Sequence, residues 1–421
     1  MDNNSDRLSP TDNLFSELEK HLRPGNGLFG HHRRLVEVPN APKKQGSLGF
    51  EYAEHGFLGD NIELQWIDGK GHLASEVPLK LPNELSLTYG QINGLAGDFY
   101  GTTKPISDGA TLIEQMQRFT QAWHSLAGDT SRQPCEAHMI LEILLQEVNA
   151  VNKALEEGKD PSKAYATLQD QTITFQELTW TRAQDYPSYL GLSLINWDHF
   201  GEDARSAYNA GHLAALTQAA KGTPDDLRLG YAMNAFADHF LEDSFSAGHV
   251  RTPRKLLHDY SFKSPFPDLC AKYMHDEDNA IGLSVRDPSG SSWTMYGDKR
   301  LLDEVDAENN QRCSKAVQTS ADEVWTAWKT KSVPEIDSFG AWKIACTLES
   351  ARGVQALTPL FKFGEGPPRR SDINNRRDTK FTTDYWFAST AAACLTSGLW
   401  KYPITLNTLP KEDVADDEPS V

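Results

Sequence analysis

The sequence predicts a mainly α-helical fold, a helical bundle preceded by a loop-rich or small β N-terminal segment. Apolar residues recur at three- and four-residue spacing over most of the chain after residue 85, which is the period of one helix face. The only convincing β signal is a short run around Gly69. With 421 residues, 39% of them hydrophobic, the chain can bury a sizeable core.

The elements are expected in chain order as follows. Residues 28–81 are rich in Gly, Pro and short apolar runs, which predicts loops with a hairpin at Gly69. Helical spacing then predicts a short helix from Ser86 that closes at Gly97, followed by helices at 112–124, 138–158, 161–184, 198–220, from Pro224 through His239 and Asp243, and at 265–274, 301–330, 342–357 and 386–399. We divide the chain into an N-terminal segment (1–84), a helical catalytic domain (85–358) and a C-terminal extension of unknown role (359–421).

The charge balance restricts the class of partner. A formal net charge of −18 argues against binding nucleic acid or an anionic membrane by bulk electrostatics. The five cysteines include no CxxC pair, which favours reduced, buried thiols. The N-terminus lacks the pattern of a signal peptide, and no apolar run has the length of a membrane span. We therefore expect a soluble protein that is cytoplasmic as synthesised, unless a signal-independent secretion system exports it; oligomeric state is not predicted.

The most informative stretch is AFADHFLEDSFSAGHVRTPR. It places His239 and Asp243 on one helix face and His249 just after a small-residue break. Neutral imidazole and carboxylate are ligands that suit zinc. A single His and Asp at this spacing more often form an ordinary surface pair or a helix-stabilising hydrogen bond, so further ligands are needed before a metal is inferred.

His199 supplies one further candidate. It opens the helix that precedes the one carrying His239, and a short turn at 221–224 joins the two. Sequential helices joined by a short turn pack antiparallel, so His199 and His239 are expected at the same end. The same argument disfavours His212, which lies more than three turns along the first helix and is expected to be a packed or surface histidine.

Asp98 and His275 are weaker candidates on local pattern alone. Asp98 follows a short helix in LTYGQINGLAGDFYG, where a carboxylate is more often a turn former or cap than a metal ligand or general base. His275 lies in MHDEDN, which is either a solvated helix face or a donor-rich ligand segment.

Taken in order, these residues resemble a known ligand series. Asp98, Asn-x-x-His199-Phe, His239-x₃-Asp243-x₅-His249 and a later His275 are similar to the zinc-dependent phospholipase C and single-strand-specific nuclease superfamily. The stretches LTYGQINGLAGDFYG, DHFLEDSFSAGHVRTPR and KYMHDEDNAIGLSV resemble, more closely, the signal-peptide-lacking bacterial and fungal zinc metallophospholipases C that hydrolyse phosphatidylcholine. That closer resemblance covers about residues 85–298.

The resemblance implies an all-helical fold with two or three Zn²⁺ ions at one end. It implies that His199, His239 and Asp243 bind one zinc, that His249 and His275 bind another, and that Asp98 is both a ligand and the general base. It also implies hydrolysis of phosphatidylcholine at a membrane or micelle surface to diacylglycerol and phosphocholine. Trp197, Phe200 and Tyr100 lie next to proposed ligands and are candidates to contact a choline headgroup, although aromatics at such positions are more often core.

The chain departs from the family pattern at two ligands. The family places a glutamate four residues after the later His, where this chain has Asn279; Glu277 or Asp278 would have to substitute, or His258 be the true ligand. Secreted members use an N-terminal tryptophan amine, which is missing here. His21, His31 and His32 are possible replacements, with ordinary loop histidines the commoner case.

The residues leave three functional hypotheses open. A phospholipase C is the leading one; a zinc nuclease or phosphomonoesterase on the same scaffold is the alternative, disfavoured for nucleic acid by the acidic balance. The third is a non-enzymatic, metal-stabilised helical protein that binds a partner and whose metal sites are closed.

Overall fold

The computed structural model describes residues 52–128, 133–165, 167–169, 171–180, 182, 186–260, 264–397, 400–401 and 405–406. Fifteen α-helices lie in these ranges: α1 Tyr52–Asp60, α2 Tyr89–Leu95, α3 Leu112–Ala127, α4 Gln133–Glu156, α5 Ser162–Tyr165, α6 Thr172–Thr179, α7 Tyr189–Leu194, α8 Gly201–Ala219, α9 Pro224–Glu242, α10 Ala247–Arg251, α11 Arg254–Tyr260, α12 Phe266–Ile281, α13 Ala307–Thr330, α14 Leu348–Arg352 and α15 Phe387–Thr396. The predicted mainly α-helical fold is confirmed.

The strands of the described residues are short and form antiparallel pairs only. The pairs are β1 Glu63–Gln65 with β2 Gly71–Leu73, β3 Leu79–Lys80 with β4 Ser86–Leu87, β5 Leu283–Arg286 with β6 Ser292–Met295, β7 Arg369–Arg370 with β8 Phe381–Thr382, and β9 Trp400–Lys401 with β10 Thr405–Leu406. The hairpin predicted at Gly69 is present, and Gly69 has the positive φ of 76° that its turn requires. The other strand pairs were not predicted, and the expectation of loops over 28–81 is wrong at α1, which is a helix.

Helix α9 forms the centre of the core. It packs along α8 and also contacts α1, α2 and α13. Thr223 begins it with a capping box to Asp226, and Pro224 occupies the first turn, where the missing N–H has no helical partner. The apolar side chains of α9 at Leu227, Tyr231, Phe236 and Phe240 are all buried. This packing fixes the end of α9 on which the candidate ligands lie.

Several predicted helices differ in extent from the observed ones. Among its described residues, the stretch 161–184 has two short helices, α5 and α6, instead of one long one, and 342–357 contains only a 3₁₀ turn and α14. Helix α12 instead extends beyond its predicted end to Ile281. The helix predicted from Asp198 begins at Gly201, because residues 196–199 form a 3₁₀ turn.

The two flanking regions pack against the central helices. Described residues from 52 to 87 contribute to the same hydrophobic core as α8, α9 and α13. Described residues between 360 and 394 form a second apolar cluster with α11 and α12. Four of the five free cysteines are buried, while Cys135 is exposed. No helix within the described ranges has the length and apolar content needed to cross a membrane.

Candidate metal centre

The candidate ligands of the central motif lie where three short elements meet. His239 is in the last turn of α9, Asp243 begins the 3₁₀ turn Asp243–Phe245, and His249 lies in α10. His199 ends the 3₁₀ turn before α8, and its Nδ1 lies 3.1 Å from Nε2 of His239. The antiparallel α8–α9 hairpin therefore brings His199 and His239 together, as the sequence argument predicted.

Asp243 links the two halves of the cluster. Its Oδ2 lies 3.0 Å from Nδ1 of His199 and 3.9 Å from Nε2 of His239, and its Oδ1 lies 2.8 Å from Nδ1 of His249. The carboxylate is fully buried, yet no hydrogen-bond donor is aligned on either oxygen. A buried carboxylate without such donors is costly, and a positive charge beside it, either a bound cation or a protonated imidazole, offsets that cost.

Asp98, His199 and His239 form one group of potential ligands, with donor atoms within 4.8 Å of one another. Asp98 follows α2 and is half-buried, whereas both histidines are buried. The tight turn that places Asp98 here begins at Gly97, which has φ of 66°. A carboxylate at the edge of the cluster is accessible to a substrate, which a fully enclosed ligand is not.

A second group contains a residue that the sequence analysis missed, His55, together with His239 and Asp243. His55 lies on α1, and its ring stacks on that of His239 at 4.1 Å between centroids. Its Nδ1 lies 2.6 Å from Oε2 of Glu242, whose Oε1 accepts from the amide of Asn93. In the tautomer whose Nδ1 donates to Glu242, Nε2 of His55 has the lone pair that a metal ligand needs.

The third group is His249, His275 and Asp298. Oδ2 of Asp298 lies 2.8 Å from Nε2 of His275 and 3.3 Å from Nε2 of His249, and the Ser246 hydroxyl lies 2.6 Å from Oδ1 of Asp298. Asp298 is buried and lies in the segment after β6. Asp298 thus lies beside His275, in the position for which the sequence suggests Glu277, Asp278 or His258.

Those other residues have different partners. Glu277 forms a buried pair with Arg370 and accepts from Arg376, and Asp278 pairs with Arg251. His258 pairs with Asp268. Asn279 lies beside the ligands: its Oδ1 accepts from the amide of Gly248, and its Nδ2 lies 3.2 Å from Nε2 of His275. The expectation that Glu277, Asp278 or His258 completes this group is therefore wrong. Asp298 completes it instead. His21, His31 and His32 lie outside the described residues.

Burial and neighbouring charges set the protonation of the cluster. Burial lowers the pKa of His55 to about 4, and burial together with the adjacent His55 lowers that of His239 well below its usual range. Both imidazoles are therefore neutral at pH 7, the form that binds metals. Burial also disfavours charge on His249, but the carboxylates of Asp298 and Asp243 outweigh it and raise the His249 pKa. The His249 imidazole, beside the carboxylates of Asp243 and Asp298, therefore keeps its proton to a higher pH than an ordinary imidazole.

Gly97 is needed for the close approach of Asp98 to the histidines. A Cβ at this position would lie 2.6 Å from Cε1 of His199 and 2.9 Å from Cδ2 of His239, and its φ is positive. We expect Gly97→Ala to displace these rings, to lower metal content, and to cost about 1–3 kcal/mol of folding free energy. Metal analysis and thermal unfolding measure both effects. Gly69→Ala, at another positive-φ glycine but with nothing within 4 Å, is the control; equal metal content in the two variants would contradict the expectation.

His212 lies away from the metal groups, as predicted. It is buried, its Nδ1 is 2.5 Å from Oδ1 of Asn234, and its Nε2 is 2.8 Å from Oε2 of Glu323. We expect His212→Ala to leave metal content unchanged while lowering the free energy of unfolding by about 1–3 kcal/mol, because a buried amide loses its partner. Denaturant unfolding and metal analysis test this, and loss of metal in this variant would show that the hairpin geometry is wrong.

The three predicted substrate-contacting aromatics differ in their surroundings. Phe200 stacks on His249 with 4.7 Å between ring centroids and is 8% exposed. Tyr100 is buried beneath the guanidinium of Arg182, and Trp197 donates from Nε1 to Asp108 and packs against His258. All three rings are buried, and Phe200 is the one that contacts candidate ligands, His249 and His275.

Comparison with known proteins gives no assignment. No family model matches the chain, and neither does any curated protein or solved structure. The class of this protein therefore has to be inferred from the metal centre itself.

Proposed function

We propose that the protein is a zinc-dependent phosphodiester hydrolase, and specifically a phospholipase C that acts on phosphatidylcholine. The observation that carries the proposal is the convergence of imidazoles and carboxylates on Asp243, which links groups that could hold more than one ion. Ligand atoms of one zinc ion lie about 3.3 Å apart when bonds of about 2.0–2.1 Å meet at the tetrahedral angle. The separations of 3.0, 3.1 and 3.9 Å among His199, His239 and Asp243 suit this geometry.

In the proposed reaction each group of residues has its own chemical role. Zinc would supply Lewis acidity, lowering the pKa of water and neutralising negative charge on a phosphodiester. Asp98, half-buried at the rim of the cluster, is placed to accept the proton of the attacking water. Neutral His55 and His239 offer lone pairs, while Asp243 and Asp298 offer negative charge. A structural zinc site has all its ligands enclosed, whereas the partial exposure of Asp98 supports a reacting site.

Phosphatidylcholine is proposed as substrate because its headgroup has no net charge. An acidic chain of net charge −18 repels a polyanion such as nucleic acid more than it repels a zwitterionic lipid. The resemblance of the motif segments to the phosphatidylcholine-hydrolysing group supports the same choice. Phe200, beside His249, offers an aromatic face for part of the headgroup.

The test is a product assay on three substrates with and without a chelator. Purified protein is incubated with phosphatidylcholine vesicles, phosphatidylglycerol vesicles and single-stranded DNA, and phosphocholine, phosphoglycerol and nucleotides are measured. We expect chelator-sensitive phosphocholine release that His239→Ala abolishes and that His72→Ala, at an exposed hairpin histidine, leaves unchanged. Nucleotide release without phosphocholine would assign the nuclease alternative, and stoichiometric zinc with no product would assign a non-enzymatic role.

A further inference from the structure

Helix α1 contributes two neighbouring side chains to opposite ends of the metal centre. His55 joins His239 and Asp243, as described above. Glu54, the residue before it, reaches the segment that carries Asp298. Its Oε2 accepts from the backbone N–H of Lys299 at 2.8 Å and its Oε1 accepts from that of Leu301 at 3.1 Å. Glu54 is fully buried. Both of its carboxylate oxygens accept hydrogen bonds from the backbone of a turn that is distant in the sequence.

The turn that Glu54 holds is a strained one. Lys299 has φ of 64°, the left-handed region that side-chain-bearing residues rarely adopt. The N–H of Arg300 donates to the carbonyl of Gly297, which closes the turn around Asp298. Gly297 packs so tightly that a Cβ there would lie 2.1 Å from Oδ1 of Asn279. Such a conformation persists only where surrounding contacts hold it, and Glu54 supplies two of them.

We propose that Glu54 is a positioning residue that keeps the carboxylate of Asp298 directed at His249 and His275. By accepting the N–H groups of Lys299 and Leu301, it stabilises the left-handed conformation at Lys299. Without it the turn relaxes and Asp298 moves away from the imidazoles. The inference rests on the proposed metal centre. It gives Glu54 a role there through the backbone of Lys299 and Leu301.

The first test compares Glu54→Gln with Asp298→Asn. Gln retains one acceptor oxygen, so one of the two backbone hydrogen bonds is lost while side-chain size is kept. We expect Glu54→Gln to weaken binding of one zinc ion about 10- to 100-fold, and we expect this to be the ion that Asp298→Asn loses. The double variant should then lose no more zinc than Asp298→Asn alone. Unchanged zinc affinity in Glu54→Gln, or an additional ion lost in the double variant, would overturn the proposal.

A rescue separates positioning from general damage to α1. Glycine tolerates positive φ without strain, so Lys299→Gly in the Glu54→Gln background should restore zinc affinity, whereas Lys299→Ala, which removes the same side chain but keeps the strain, should not. Glu147→Gln is the control on the helix itself, because Glu147 accepts from the N–H of Ala53 and should leave zinc unchanged. Equal behaviour of the glycine and alanine variants would contradict the role of the strained turn.

Hydrogen exchange gives a readout in metal-free protein. The amides of Lys299 and Leu301 should exchange faster in Glu54→Gln than in the native chain, while amides in the β5–β6 hairpin keep their rates. If Glu54→Gln does not fold, Lys299→Val, whose branched side chain disfavours positive φ, should lose the same ion with Glu54 intact. Native protein that binds no zinc would contradict the metal centre itself. If the native protein binds zinc, and Glu54→Gln changes neither the amide exchange rates nor the zinc affinity, only the role of Glu54 is contradicted.

Discussion

Asp243→Asn is expected to lose more zinc than any other single substitution in the protein, and with it all phosphodiesterase activity. Asp243 contacts His199, His239 and His249, so its carboxylate is shared by both halves of the centre. Asparagine keeps the size of the side chain but removes the negative charge and one of the two oxygen ligands. We expect zinc binding at least about 100-fold weaker, beyond the 10- to 100-fold typical of groups that only orient a ligand.

The matched control is Asp238→Asn, in α9 shortly before Asp243. Asp238 is also fully buried, but it accepts from Tyr89 and Ser320 instead of facing an imidazole. This variant should lose stability and keep its zinc. Zinc content, measured by elemental analysis after dialysis in a zinc buffer, distinguishes Asp243→Asn from Asp238→Asn. Equal zinc in native protein and Asp243→Asn would remove Asp243 from the ligand set.

Asp98→Asn is expected to lower kcat by about 10²- to 10⁴-fold, the usual contribution of a positioned general base. Asp98 lies at the accessible edge of the cluster, in a turn outside the central helices. Its replacement therefore affects the reaction more than the fold, and we expect little change in the melting temperature. Initial rates of phosphocholine release and a thermal melt measure the two effects on one preparation.

Asp108→Asn is the control for this prediction. Asp108 is a partly buried carboxylate that accepts from Lys255 and Trp197, and it lies outside the metal groups. Its substitution should leave kcat within a few-fold of native. An Asp98→Asn variant with native kcat would show that Asp98 is neither general base nor ligand, and another group would then have to accept the proton.

The sequence predicted the part of the site that depends on local spacing. His239, Asp243 and His249 lie within eleven residues; helix periodicity places His239 and Asp243 on one face, and His249 follows after a short break. His199 required one further step, the antiparallel packing of two helices joined by a short turn, and that step is confirmed by the 3.1 Å approach of His199 to His239.

His55 and Asp298 could not be found in this way. His55 is brought to Glu242 across 187 residues of sequence, and no local pattern around it indicates a ligand. Asp298 depends on the turn after β6, in which the N–H of Lys299 donates to Glu54 across 245 residues of sequence. The resemblance gave one signal: Asn279 stands where the family pattern has a glutamate, so a carboxylate from another position is expected beside His275.

The central claim is that these histidines and aspartates hold zinc, and zinc stoichiometry tests it most directly. Protein purified without chelator and dialysed in a zinc buffer should contain two or three equivalents of zinc by elemental analysis. The Asp243→Asn variant treated in the same way should contain fewer. Native protein with no stoichiometric zinc, or with zinc that Asp243→Asn does not reduce, would contradict the account.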